Sequence, residues 1–200
     1  MVRFTPIEPL ATSLEDAVVR ARRRRISDLD AIAAASHDPD TLRWLDDTPT
    51  DLKARAAGMT RVEEAWRSGH AAPLVIADPA TDDPVGLINL QFRSDDVATL
   101  AYSVFPARRG HGIAPHAVRL VAGWAFRDLG LTELLLETDE ANAASIRVAE
   151  KCQFQRIGSR TALNSEGDEY TRLVFATWWR LGCAGDDAGP RGGASGDVVE

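Results

Sequence analysis

Six residues, Arg109-Gly110-His111-Gly112-Ile113-Ala114, stand between an alternating apolar run that ends at Phe105 and a stretch with a single apolar stripe. That stripe, formed by Ile113, Ala117, Leu120, Val121, Trp124 and Ala125, recurs at helical spacing. A strand that passes into a helix through two glycines confines the chain to folds in which a helix start faces a strand's carboxyl end. The first N–H groups of a helix have no intrahelical partner and carry the positive end of its dipole, so they suit an anion. Gly110 and Gly112 let a diphosphate approach the backbone, and the guanidinium of Arg109 is a planar cation able to hold phosphate oxygens in pairs. Pro115 falls in the first turn, where its missing N–H costs little, and Gly130 supplies a stop after Leu129.

Upstream, the residues through Asp16 lack a usable period and read as a poorly ordered lead-in to a single domain over 17–181. Val18 to Arg22 reads as a strand. A helix opened by Ser27 or Asp28 follows, with Leu29, Ile32 and Ala33 inward, and His37-Asp38-Pro39-Asp40 breaks it. Helical spacing returns from Thr50 to Ser68 through Leu52, Ala56, Met59, Val62 and Trp66. Leu74 to Ala77, Val85 to Phe92 and Val97 to Phe105 are strand-like runs separated by turn signals, an antiparallel meander. Downstream, Leu131 to Thr138 reads as a strand, Asn142 as the cap of a helix from Ala143 to Lys151, and Phe154 to Ser159 and Tyr170 to Trp179 as closing strands. The tail 182–200 is rich in Gly, Asp, Ala and Ser and reads as disordered. Strands alternating with helices in this half make the fold α/β.

Composition narrows the function. With 200 residues and 44% hydrophobic content the chain can bury one full core. A formal charge of −7 argues against a general nucleic-acid binder. Arg20 and Arg22 to Arg25 read as a solvated face rather than a nucleic-acid patch. Two cysteines, Cys152 and Cys183, without paired spacing or nearby His, support neither a disulfide framework nor a metal site and fit a reducing cytoplasm. No long apolar run opens the chain or recurs within it, so neither a signal peptide nor a membrane span is expected. No Lys-Ser or Lys-Thr follows the glycines and no third glycine completes a dinucleotide fingerprint, which disfavours nucleotide binding of those two kinds.

Arg109, Gly112 and Ala114 fit the spacing Arg or Gln, two residues, Gly, one residue, Gly or Ala. With Tyr102-Ser103-Val104-Phe105-Pro106 before it, and Asn142-Ala143-Ala144-Ser145-Ile146, Glu150-Lys151 and Phe154 after it, the stretch resembles the GCN5-related N-acetyltransferase (GNAT) family. Within that family it looks most like the branch of ribosomal-protein N-terminal acetyltransferases. The resemblance covers roughly Val18 to Trp179. It implies a mixed, mostly antiparallel twisted sheet of about six to seven strands, flanked by about four helices and splayed at the acetyl-CoA site. It implies acetyl-CoA as cosubstrate without a metal, an amine acceptor as partner, and a monomer or homodimer. Two departures stand out: Gln153 replaces the glycine common before the Phe, and Ala149 replaces a Tyr that protonates the departing thiolate in many members. The resemblance points to Ser145 as the substitute acid.

Acetyl transfer requires a neutral amine, a donor for the thioester oxygen and a proton for the thiolate. The resemblance gives Ser103, Val104 and Phe105 as the strand end whose amides meet the thioester and pantetheine. Arg109, Gly110, His111, Gly112, Ile113 and Ala114 are then the diphosphate loop, with Asn142 and Ser145 alongside. His111 contributes its N–H rather than its ring. Glu137 is the first base candidate, with Asp168 and Glu169 behind it; each can instead attract an ammonium group. At pH 7 deprotonating an α-amine costs about 1 kcal/mol against about 4.6 for a lysine, so a protein N-terminus is the easier acceptor. A small-molecule amine of aminoglycoside or polyamine type, and a catalytically silent CoA-binding module, are the alternatives.

Overall fold

A computed structural model describes residues 13–45, 52–164 and 167–178. The first twelve residues, Trp179 and the Gly-rich tail lie outside the described residues. The elements run β1 Leu14–Glu15, β2 Arg20–Arg23, α1 Leu29–Ser36, α2 Pro39–Leu45, α3 Leu52–Ser68, β3 Ala71–Ala77, β4 Pro84–Phe92, β5 Val97–Val104, α4 Ile113–Arg127, β6 Glu133–Asp139, α5 Ala143–Lys151, β7 Gln155–Leu163 and β8 Glu169–Trp178. The strands form one sheet in the order β1-β2-β3-β4-β5-β6-β8-β7. Only β5 and β6 are parallel; every other pair is antiparallel. The expected mixed sheet is present, with eight strands and five α-helices among the described residues.

The core forms where alternate strand residues meet the stripe of α4. Leu74, Ile76, Ile88, Leu90, Leu100, Leu134 and Leu136 pack with Ala117, Val118, Val121, Trp124 and Ala125. Each fully buried aliphatic side chain contributes roughly 1.5–3 kcal/mol. β3 is buried along its whole length, consistent with its place between β2 and β4.

Three features differ from the sequence expectation. Leu14 and Glu15, assigned to the lead-in, pair with Ala21 and Arg20. The connecting turn is made by Asp16, whose carboxylate accepts the N–H groups of Val18 and Val19 at 2.7 and 2.9 Å. His37-Asp38-Pro39-Asp40 ends α1 but also starts a helix. Asp38 accepts the Thr41 N–H at 2.9 Å as a cap, and Pro39 takes the first helical position, where no N–H is needed. Finally, Arg22 is not solvated. It is 5% exposed and forms a two-pronged pair with buried Asp28, both bonds 2.9 Å.

Asp82 joins this arginine group across the β3–β4 turn, accepting from Arg20 at 3.1 Å, Arg22 at 3.0 Å and also Arg25. Partial burial opposes its ionisation, but the hydrogen bonds from Arg25, Arg20 and Arg22 outweigh it and hold the carboxyl at about 2. A folded-state pKa below the ordinary value contributes stability above about pH 4 that is lost as pH falls toward 2. Urea titrations should therefore show Asp82→Asn less stable than wild type at pH 7, with the difference narrowing between pH 4 and 2.

α5 ends in a Schellman motif: Phe154 N–H bonds the Ala149 carbonyl at 2.9 Å and Gln153 N–H bonds Glu150 at 3.0 Å. The residue at the turn must be left-handed, and Gln153 adopts φ 61°. The bend that glycine would make is retained here at a steric cost. Replacing Gln153 with Gly is expected to stabilise the fold by about 1 kcal/mol, a rise in Tm of about 2–4 °C in calorimetry.

Candidate active site

The parallel pairing of β5 with β6 covers only Val97↔Glu133, Ala98↔Leu134 and Thr99↔Leu135. Beyond it β5 pairs with β4 alone and β6 with β8 alone, so the two strands diverge. Hydrogen-bond alternation tells which groups face the gap. Phe105 N–H bonds Val85 O at 2.9 Å and Arg93 N–H bonds Val97 O at 2.8 Å, so odd-numbered β5 residues point their backbone groups at β4. The N–H groups of Ser103 and Phe105 are thereby directed away from the gap, contrary to their expected role as thioester donors. Val104 keeps that position, and Tyr102, two residues before it, shares it.

A cavity of about 1310 Å³ opens along this divergence. Its walls come from α2, the end of β5, the glycine turn and start of α4, β6 and α5, and they include Ser103, Val104, Arg109, Gly110, Gly112, Ile113, Ala114, Glu137, Asn142 and Ser145. Phe105 and His111 are outside the lining. The His111 ring is exposed, its Nδ1 2.8 Å from the Arg109 carbonyl, and Asp168 and Glu169 are exposed on the β7–β8 hairpin.

Gly110 and Gly112 have φ values of +80° and +76°, and a Cβ on either would meet no protein atom within 4 Å. Backbone conformation is what demands glycine here. Gly112 caps α4, Pro115 lies in its first turn, and the Ile113 and Ala114 N–H groups at the helix start have no intrahelical partner. These two residues line the cavity. The Arg109 side chain does something else. Its Nη2 donates to Asp38 at 2.6 Å and to Thr41 at 2.8 Å, its Nη1 to Asp40 at 3.3 Å, and its Nε to the Val104 carbonyl at 3.2 Å. The guanidinium ties the start of α2 to the last residue of β5. Cationic lining nearer α5 is supplied instead by Arg147 and Lys151.

Asn142 caps α5 by accepting the Ser145 N–H at 3.0 Å, which fixes Ser145 at the mouth of the gap. Its Oγ lies 3.0 Å from the Tyr102 hydroxyl. Burial pushes the Tyr102 pKa up to about 12, the Ser145 hydrogen bond acting against it, so the phenol keeps its proton at neutral pH. Tyr102 was missed as a functional residue in the sequence; its signal is its place on β5, in phase with Val104. Glu137 lines the cavity from β6, but its Oε2 is 2.6 Å from Arg160 and 3.6 Å from Arg172. Among the described residues no group of three or more His, Cys, Asp or Glu is arranged to hold a metal ion. No described helix is long and apolar enough to cross a membrane.

A divergent parallel pair, a left-handed glycine turn at a helix start and a hydroxyl-bearing second helix define an acyltransferase-like site. Residues 19–155 match the acetyltransferase (GNAT) domain, and the chain belongs to that family. An N-acetyltransferase 9-like protein of Caenorhabditis elegans is 30% identical over 98 residues, 47% of this chain and 44% of that protein. The match thus spans under half of that relative's length. Three solved structures share the fold. Mycobacterium smegmatis RimJ in complex with CoA-disulfide aligns with a TM-score of 0.74 at 22% identity, covering 84% of this chain and 86% of that one. The ribosomal-protein-S5-alanine acetyltransferase of Vibrio fischeri aligns at 0.72 and 17%, covering 84% and 96%. The spermidine N-acetyltransferase of Vibrio cholerae in complex with CoA and spermine aligns at 0.72 and 16%, covering 82% and 96%.

Because Arg109 and Asp38 are hydrogen-bonded, the two should be coupled in stability. Arg109→Ala and Asp38→Ala are each expected to destabilise the fold by about 1 kcal/mol, and the double variant by less than the sum, measured by urea titration as a double-mutant cycle.

Proposed function

We propose that this domain transfers an acetyl group from acetyl-CoA to a primary amine by direct attack, and that the acceptor is a protein N-terminal α-amine in a reducing cytoplasm. The observation that carries this is the placement of the α4 amide cradle, the free edge of β5 and the Ser145–Tyr102 hydroxyl pair around one cavity. Coenzyme A fits the donor set: amides at the helix start suit its diphosphate, and Arg147 and Lys151 lie at hand for further phosphate charge. The inward backbone groups of Tyr102 and Val104 suit an extended amide-bearing arm, as in strand addition.

In this reading the Val104 N–H stabilises the charge developing on the thioester oxygen. Ser145 Oγ gives its proton to the departing sulfur, the Tyr102 phenol, protonated at neutral pH, passes its own to Ser145, and Tyr102 regains one through water from the proton that the amine releases. Coenzyme A thiol has an ordinary acidity near pKa ~8.5, so a weak acid suffices. Glu137, anchored by Arg160 and Arg172, faces the acceptor side and orients the incoming amine or takes its proton through water. Both kinds of acceptor occur among proteins of this fold, one named for a ribosomal-protein alanine and one for spermidine. The lining weighs toward the former, since its basic residues, Arg43, Arg93, Arg108, Arg109, Arg147, Lys151 and Arg172, outnumber the acidic Asp40, Glu137 and Asp139 and disfavour a polycation.

Thiol release from acetyl-CoA, followed across N-terminal peptides, spermine and an aminoglycoside, tests the assignment. Peptides should be turned over and spermine should not; release with none of them overturns the enzymatic reading. Ser145→Ala should lower kcat by about tenfold to a hundredfold, and Tyr102→Phe by less, with CoA affinity kept in both.

A further inference from the structure

A second cavity of about 410 Å³ adjoins the first, with Gln91 and Arg93 lining both. Its walls carry Arg24, Arg61, Arg93 and His70, and no Asp or Glu is among the described lining residues. Three arginines and a histidine thus line one hollow of a chain whose formal charge is −7. Two of the lining residues each carry a buried polar atom without a partner among the described residues, Arg24 Nε and Asn89 Oδ1. Asp28, the acid whose charge acts on Arg24, is occupied by both nitrogens of Arg22 and by the Arg25 N–H. An unpaired buried donor and an unpaired buried acceptor each carry a desolvation cost that a ligand offering the complementary group removes.

We propose that this cavity binds an acidic side chain of the acceptor peptide, a carboxylate meeting the arginines while a peptide N–H meets Asn89. The proposal rests on the acetyl-transfer reading for its amine and on the second cavity for its specificity. Register sets the span. Asn89 lies opposite Ala101 of β5 on one side and Pro73 of β3 on the other, and Gln91 opposite Thr99 and Ala71, so these residues share the sheet face that carries Ser103. Strands are about 4.8 Å apart, which puts β3 about 10 Å from β5. An extended peptide covers that in about three residues. An amine at the gap beside β5 thus places the second or third residue of the acceptor over the basic hollow.

Two peptides with C-terminal fluorophores test this, one beginning Ser-Glu-Glu-Glu and one Ser-Gln-Gln-Gln, titrated against the full chain saturated with CoA so that no turnover intervenes. The acidic peptide should bind at least about tenfold more tightly at low salt, and the advantage should shrink as salt rises. Arg61→Gln, on the exposed face of α3, and Arg24→Gln should each reduce that advantage without changing the affinity of the glutamine peptide. If Arg24→Gln does not fold, Arg61→Gln and Asn89→Ala decide. Equal affinity for the two peptides, or an advantage that survives these substitutions, overturns the proposal. So does competition by free glutamate as strong as by the acidic peptide, which would assign the hollow to a small acid. Thiol release is measured separately with acetyl-CoA: its failure with both peptides removes the catalytic reading, whereas the binding difference alone decides the acidic subsite.

Discussion

Two parallel strands that stop bonding to each other after three residue pairs leave a row of backbone donors and acceptors facing one another across a gap, and such groups carry a cost unless something meets them. Every part of the site is arranged around that divergence. Behind it, Ala98 and Leu134 are paired and fully buried, so the strands stay closed there. Ahead of it, α5 begins with Asn142 and Ser145 on one bank, while Tyr102 and Val104 line the other. The Tyr102–Ser145 bond spans the banks, so the hydroxyl pair marks the width of the opening. A ligand with strand-like amides and an anionic end would satisfy the free strand edge and the helix start together.

Backbone and side chain divide their work at Arg109. The turn's amides belong to the cavity, whereas the guanidinium reaches back 71 residues in sequence to Asp38 and also holds the Val104 carbonyl. The start of α2 is thereby tied to the end of β5, both on the wall of the cavity. Charge is divided in the same way. Arg20, Arg22 and Arg25 gather on Asp82 at the β3–β4 turn, while further arginines, some of them paired with acids, line the walls of the cavities.

The parts of this arrangement that were legible in the sequence are those governed by local chemistry: the stripe of α4, the left-handed glycines, the Asn142 cap and the alternation of β4 and β5. The others depend on contacts distant in sequence. The Tyr102–Ser145 pair joins residues 43 apart, and nothing in either segment announces the other. Which β5 amides face the gap is a matter of register, and a shift of one residue exchanges Ser103 and Phe105 for Tyr102 and Val104. Arg22 looked solvated because its partner Asp28 becomes adjacent only when β2 turns into α1. The α2 start was missed for a different reason. Asp38-Pro39 was read as a break, although an acidic cap followed by Pro at the first helical position is equally a beginning.

Ala149 and Gln153, the two positions where the chain departs from common family choices, show how such departures are accommodated. Gln153 keeps a left-handed conformation that glycine would adopt without steric cost, because the Phe154 and Gln153 amides are both held by α5 carbonyls and Phe154 is anchored in the core. Ala149 is completely buried, with its carbonyl accepting the Phe154 N–H. It has no hydroxyl to offer the cleft. The hydroxyl comes instead from the facing strand, where Tyr102 sits beside Ser145, one turn of α5 before Ala149. A second hydroxyl thus enters the same space from β5, beside that of Ser145 on α5, and the burial that raises the Tyr102 pKa to about 12 keeps it protonated throughout the neutral range.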